Sequence, residues 1–211
     1  MQLDDLVSAH YGETIWVLGS GPSLNFLSPS FFDDKTTVST NFSARTLGHY
    51  PDYAFTHYHA NAASLLSDTG TVVTIEKDTK TGSYWSEEKP SNLVLAETPY
   101  DKAPGSSWDP ITSHRPGPNN LVYGSSSLHG AMHLAAHLGA SFIVLVGADC
   151  GTIDGEDRIT GYPDGHKLWA LYNRHHKLMK KYLEDNYPLK VYSLNPFINF
   201  NLEGHKFEGV E

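Results

Sequence analysis

Five consecutive apolar residues, Phe142-Ile143-Val144-Leu145-Val146, constrain this chain more than any other stretch. A strand with one face in water alternates polar and apolar residues, and this one does not. Such a run belongs to a strand buried on both faces, the usual situation in a parallel sheet covered by helices. It ends in Gly147-Ala148-Asp149. A second apolar run, Thr14-Ile15-Trp16-Val17-Leu18, climbs into Gly19-Ser20-Gly21-Pro22-Ser23-Leu24, read as a strand whose glycine turn opens a helix.

Between and after these runs, strand patterns recur at Thr37–Thr40, Pro51–Thr56, Thr71–Ile75, Asn92–Ala96 and Lys190–Leu194. Helical patterns separate them: a short one at Ser43-Ala44-Arg45, one over Ala60–Leu66, one from the Ser125 region to Leu138 and stopped by Gly139, and a long one over about 167–185. Residues 1–13 read as a leading helix with Leu3, Leu6 and Val7 on one side. Strands alternating with helices predict an α/β fold over 1–211. The expected form is a single Rossmann-like domain, a mainly parallel sheet flanked by helices on both faces. Two irregular loops interrupt it, 97–120 with five of the twelve prolines, and 150–165. Loops of that length in compact domains are usually functional lids or disordered.

Composition narrows the partners. With 39% hydrophobic and 18% charged residues, the 211-residue chain fits a folded, soluble protein. A formal net charge of −9 argues against bulk binding of duplex nucleic acid, although Arg174 to Lys181 form a local basic stretch. The lone Cys150 excludes an internal disulfide and fits a reducing cytoplasm. No leader and no membrane span is expected. Nothing in the sequence fixes the oligomeric state, and a homo-oligomer is compatible with it.

In parallel sheets of this kind, ligands bind beyond the carboxyl ends of the strands. Gly19-Ser20-Gly21, Asn41, His57, Ser125-Ser126-Ser127, Gly147 and Asp149 all fall at such ends, so one rim collects them. Each has an ordinary structural reading as well. The glycine loop, with Pro22 and Ser23, is either a phosphate cradle or a strand-to-helix turn; it matches neither the dinucleotide fingerprint nor a P-loop. The serines either hold an anion at a helix N-terminus or cap that helix. Asn41 either bonds a ligand or caps the next helix, and Asp149 either meets a ligand or caps a turn.

The histidines divide by context. His129, His133 and His137 share one helix face and read as packing or a solvated stripe; without a His-Glu-x-x-His motif no metal site is expected. His175 and His176 are adjacent and read as surface or interface residues. His166 follows the loop Gly161-Tyr162-Pro163-Asp164-Gly165 and opens the long helix. A histidine there titrates near neutrality and can accept a proton, though capping or plain exposure is the simpler reading.

Taken in order, Val17–Leu24, Gly124–Ser127, Leu138-Gly139 and Ile143–Asp149 resemble bacterial sialyltransferases of the Campylobacter lipooligosaccharide type. They also resemble the related MptE-like proteins, which include hydroxymethylpterin diphosphokinases and motility-associated glycosyltransferases. The resemblance runs from about residue 14 to Tyr192-Ser193-Leu194-Asn195-Pro196. It implies that Gly19–Ser23, Asn41 and Ser126-Ser127 hold a nucleotide, that His166 is the general base, and that Tyr162 is a phosphate ligand. Two positions depart from the sialyltransferases: Ser20 and His57 stand where those enzymes carry Asn. The pterin kinases continue the third strand into aspartates suited to Mg-ATP, whereas Thr56-His57-Tyr58-His59 follows here.

The resemblance therefore implies a metal-independent, inverting glycosyltransferase, and the compact size suits a bacterial or phage enzyme. It would take a nucleotide-activated sugar, CMP-linked by analogy, and a hydroxyl-bearing acceptor, with no further cofactor. The alternatives are an MptE-like ATP-dependent diphosphotransferase acting on a pterin-like alcohol, which alone would need Mg²⁺, and a nucleotide-binding module without catalysis.

Overall fold

Strands β1 (Thr14–Leu18), β2 (Thr36–Thr40), β3 (Tyr53–Thr56), β4 (Thr71–Ile75), β5 (Leu93–Ala96), β6 (Phe142–Val146) and β7 (Lys190–Ser193) form one sheet in a computed structural model. The model describes residues 1–78, 80–97, 120–163 and 168–194. The strand order is β5-β4-β3-β2-β1-β6-β7 and every neighbouring pair is parallel. The expected α/β architecture is what the chain adopts. From β1 the chain steps outward through β2 to β5, then returns to lay β6 and β7 on the other side. The direction of winding reverses between β1 and β6, and in open parallel sheets that reversal opens a ligand crevice.

Side-chain alternation assigns the two faces. Ile15, Val17, Val38, Phe55, Val73, Ile75, Val94, Ile143, Leu145 and Val191 enter one core, beneath the helices α3 (Ser127–His137) and α4 (Trp169–Asn186). Leu18, Val146, Ala54, Val72 and Leu93 point the other way, into two smaller clusters that include Ala44 of α1 (Ser43–Leu47) and Ala62 and Leu65 of α2 (His59–Leu65). Helices thus cover both faces. α3 lies against β1, β2, β3 and β6 and contacts α4, which itself packs on β7; all eleven residues of α3 are buried.

Two details at the edges differ from expectation or add to it. The leading segment forms one 3-10 turn, Leu3–Leu6, and Val7 is half exposed, because Ser8 at φ 58° and Gly12 at φ 85° take the chain out of helical geometry. At edge strand β7, the outward N–H of Val191 donates to Glu184 Oε1 at 3.0 Å and its carbonyl accepts from Lys180 Nζ. Side chains of α4 thereby occupy backbone groups that would otherwise template another strand. Among the described residues no helix is long and apolar enough to cross a membrane.

Candidate functional site

At the winding reversal the β1 and β6 loops hold each other. Gly19 N–H donates to Val146 O and Gly21 N–H to Gly147 O, each at 2.7 Å. Ser23 N–H donates to Asp149 Oδ2 at 2.6 Å. A Cβ on Gly19 would fall 2.4 Å from the Gly147 carbonyl oxygen, and one on Gly21 would fall 2.3 Å from Asp149 Oδ2. The glycines are therefore required by contact between the two loops. The helix expected after them is a 3-10 turn, Pro22–Phe26, and the buried Asp149 carboxylate sits at its N-terminus. The contact with Ser23 N–H is the turn-capping reading of Asp149, and the residue also borders the cavity described below. Burial raises its pKa, against the opposing contacts with Ser23.

The neighbouring rim is built differently. Asn41 sits at φ 47°, a left-handed conformation that Asn tolerates better than most residues. It does not cap α1, where Ser39 Oγ instead accepts from Ala44 N–H at 3.0 Å. The Asn41 carboxamide oxygen accepts from Thr56 Oγ1 at 2.7 Å, and its nitrogen donates to Ser127 Oγ at 3.2 Å. The Ser127 proton is then available to His57 Nδ1, 3.4 Å away. Burial holds the His57 pKa down at about 4, so the ring is neutral and its Nδ1 can accept. This chain of amide, hydroxyl and imidazole joins β2, β3 and α3.

The three serines before α3 divide their work. Ser126 caps the helix, its Oγ accepting from Leu128 N–H at 3.2 Å. Ser125 Oγ lies 2.9 Å from His175 Nδ1. Ser127 belongs to the chain just described.

His175 and His176 are buried, 2% and 3% exposed, which corrects the surface reading. Adjacent residues on a helix point about 100° apart, and here both directions lead into protein. His175 meets Ser125, and His176 Nδ1 lies 3.5 Å from Cys150 Sγ. His129 packs against both, ring centroids 5.9 and 4.9 Å away, and its Nδ1 accepts from Ser126 N–H at 3.3 Å. Farther along α3, His133 Nδ1 accepts from Val122 N–H at 2.7 Å and its Nε2 pairs with the Tyr187 hydroxyl at 2.7 Å, while His137 Nε2 donates to Leu3 O at 3.0 Å. The stripe His129, His133, His137 is packing. Burial drives His129 well below the ordinary imidazole range and takes His133 and His176 to about 3. Among the described residues no group of three or more His, Cys, Asp or Glu is placed to hold a metal ion.

A cavity of about 420 Å³ opens between these walls, within the usual range for small-molecule sites. Gly19, Ser20, Gly21, Asn41, His57, Ser125, Ser126, Ser127, Gly147, Asp149 and Tyr162 all line it. Pro22 and Ser23 do not; both are buried beside it. The Tyr162 hydroxyl contacts Asn41, Ser43 and Ser20, yet burial is the larger influence and raises its pKa. His166 lies outside the described residues, as does loop 97–120 from 98 to 119.

The cavity also gathers residues that the sequence did not single out for the site. Arg158 lines it, its Nε 3.6 Å from Asp157 and its Nη1 donating to Pro163 O at 2.7 Å. Tyr58, Cys150, Trp169, Tyr172 and His176 complete much of the remaining wall. Arg158 lay in a loop already expected to be functional, and a cation in such a loop was the available signal. Tyr172 lies inside the long helix expected over about 167–185, and nothing local marks it as a wall residue.

No protein-family model and no curated protein sequence matches the chain. In three dimensions the chain is similar to the MAf glycosyltransferase from Magnetospirillum magneticum AMB-1, with a TM-score of 0.53 and 14% sequence identity. The match covers 93% of this chain and 36% of that one, so the present chain spans about a third of the neighbour's length. At that identity the likeness is one of fold.

Proposed function

We propose that the cavity is the active site of a glycosyltransferase using a nucleotide-activated sugar. The observation that carries this reading is the wall itself. Beside the β1/β6 reversal, Asn41, Ser127, His57, Tyr162 and Arg158 converge on one 420 Å³ space. Amide and hydroxyl groups suit ribose and base edges, and a guanidinium suits a phosphate. The fold shared with a MAf glycosyltransferase is consistent with it.

The chemistry is a single displacement at the anomeric carbon. The acceptor hydroxyl attacks, a new C–O bond forms with inversion, and the bond to the donor phosphate breaks with its electron pair leaving on the nucleotide. His166 takes the acceptor's proton. Arg158 and the N-terminal end of α3 oppose the charge that grows on the departing phosphate. The Pro22–Phe26 turn contributes less than its sequence promised, because Asp149 already occupies its N-terminus. A CMP-linked donor is the version that the sequence resemblance favours.

The diphosphotransferase alternative asks for carboxylates able to hold Mg²⁺ beside ATP. Among the described residues the wall's carboxylates are Asp149, bonded to Ser23 N–H, and Asp157, beside Arg158. That arrangement favours the metal-independent reading. The test is calorimetric titration with CMP, UMP, GMP and ATP, each with and without Mg²⁺, followed by transfer assays on His166→Ala. CMP is expected to bind without Mg²⁺, and His166→Ala to keep that binding and lose transfer. ATP binding that depends on Mg²⁺, or normal transfer by His166→Ala, would sink the proposal.

A further inference from the structure

The cavity wall carries two kinds of side chain. Glycines, serines and Asn41 make up one part of it. Aromatic rings from two elements make up another: Tyr58, between β3 and α2, and Trp169 and Tyr172 on the first turn of α4. Trp169, Tyr172 and His176 stand at i, i+3 and i+7, so a single stripe of α4 lines the space. All three aromatic residues are half-buried, and none is claimed by a core cluster. Tyr172 is close enough to Tyr58, Cys150 and Arg158 for their charges to influence it.

We infer that Tyr58, Trp169 and Tyr172 form a platform for the acceptor, and that the acceptor is a pyranose whose C–H face packs on these rings. This rests on the glycosyltransferase reading above. A pyranose presents a flat apolar patch of ring C–H groups edged by hydroxyls. Tyr and Trp match it with a large apolar face and a polar tip, at little cost in side-chain freedom. Connectivity separates acceptor from donor. Trp169 follows His166 by three residues, so chain connectivity alone keeps their Cα atoms within about 11 Å of each other. The phosphate-compatible groups lie mostly on the other elements.

The probes are methyl glycopyranosides of glucose, galactose, mannose and N-acetylglucosamine, read by saturation-transfer NMR, with CMP binding measured in parallel. Wild-type protein is expected to transfer saturation mainly to the protons of one ring face of at least one glycoside. Trp169→Ala should weaken that binding roughly ten-fold, and Trp169→Phe should retain most of it. CMP affinity and melting temperature should stay near wild type in both variants. If Trp169→Ala instead weakens CMP and spares the glycosides, the rings hold the base and the inference is overturned. It is overturned equally if no glycoside binds wild type, or if Trp169→Ala binds glycosides unchanged. Glycoside binding that responds to Trp169 in a protein that binds no CMP would leave the platform standing and remove the donor reading.

Discussion

The β1/β6 junction and the α3/α4 side of the cavity are both rich in groups that a sequence reader would assign to ligands, but they use them in opposite ways. At the junction, the amides of Gly19, Gly21 and Ser23 point at Val146, Gly147 and Asp149. The residues that look most like a phosphate cradle are engaged with each other. On the α3/α4 side, buried polar groups pair across elements, and several of them also line the cavity. Asn41 and Ser127 reach His57, His175 reaches Ser125, and His176 reaches Cys150. A glycine turn is thus weak evidence for a ligand until its amides have been traced. Histidines are weak evidence for a surface until the opposing element is known.

The sharpest way to break this contrast is to add one methyl group at the junction. Gly19→Ala places a carbon 2.4 Å from a backbone oxygen that belongs to a second strand end, and no flexible side chain can yield there. A loss of about 3 kcal/mol or failure to fold is expected, measured by urea denaturation. Stability within 0.5 kcal/mol or so of wild type would mean that the loops are looser than their contacts indicate.

Acid tests the other side. In the folded protein His57 titrates near 4 and His133 and His176 near 3, against 6.5 for an unperturbed imidazole. Between those values the unfolded chain binds more protons, so stability is full above about pH 6.5 and falls as pH drops towards the folded values. Each such histidine withdraws about 1.4 kcal/mol per pH unit across that window. Hydrogen exchange, corrected for intrinsic rate, should show α3 and α4 losing protection before β1 and β6 as pH is lowered from 7 to 5. His133→Gln should flatten the fall. A melting temperature indifferent to pH over that range would contradict the buried, neutral state of these rings.

Asp149 gives a smaller effect that belongs to the junction. Asp149→Ala leaves Ser23 N–H without its acceptor and should cost about 2 kcal/mol by denaturation. Asp149→Asn keeps an acceptor oxygen and should cost less than half of that, with CMP affinity unchanged. A large loss of CMP affinity in the asparagine variant, without loss of stability, would make Asp149 a ligand residue instead of a cap.

What the sequence disclosed follows the range of the forces involved. β1, β4 and β6 have the expected limits because their apolar, largely β-branched runs define them locally. The rim was legible too, since strand ends are where such sheets bind ligands, and eleven expected residues do line one cavity. The partner of each rim residue was not legible. Asp149 and Ser23 are 126 residues apart, and Ser125 and His175 are 50 apart. Nothing local to Asp149 distinguishes a cap from a ribose ligand, and nothing local to His175 says that a serine loop will cover it. Arg158 and Trp169 were missed for the same reason, because their place on the wall comes from tertiary packing.

The serines before α3 carry the contrast down to neighbouring residues. Ser126 Oγ is engaged by Leu128 N–H, a service to the helix, whereas Ser127 Oγ stands between Asn41 and His57. Ser126→Ala should cost about 1 kcal/mol of stability, the usual loss for an N-cap, and leave CMP affinity within about two-fold. Ser127→Ala removes the link between the Asn41 amide and the His57 ring, so Asn41 keeps Thr56 on its oxygen but loses the acceptor that fixes its nitrogen. It should weaken CMP about ten-fold, as expected for the loss of one well-placed hydrogen bond to a ligand or to the group that orients it. Equal losses of CMP affinity in the two variants would mean that the helix end acts as a single anion site. The division of labour among these serines would then be lost, and with it the distinction between groups engaged by the fold and groups left to the cavity.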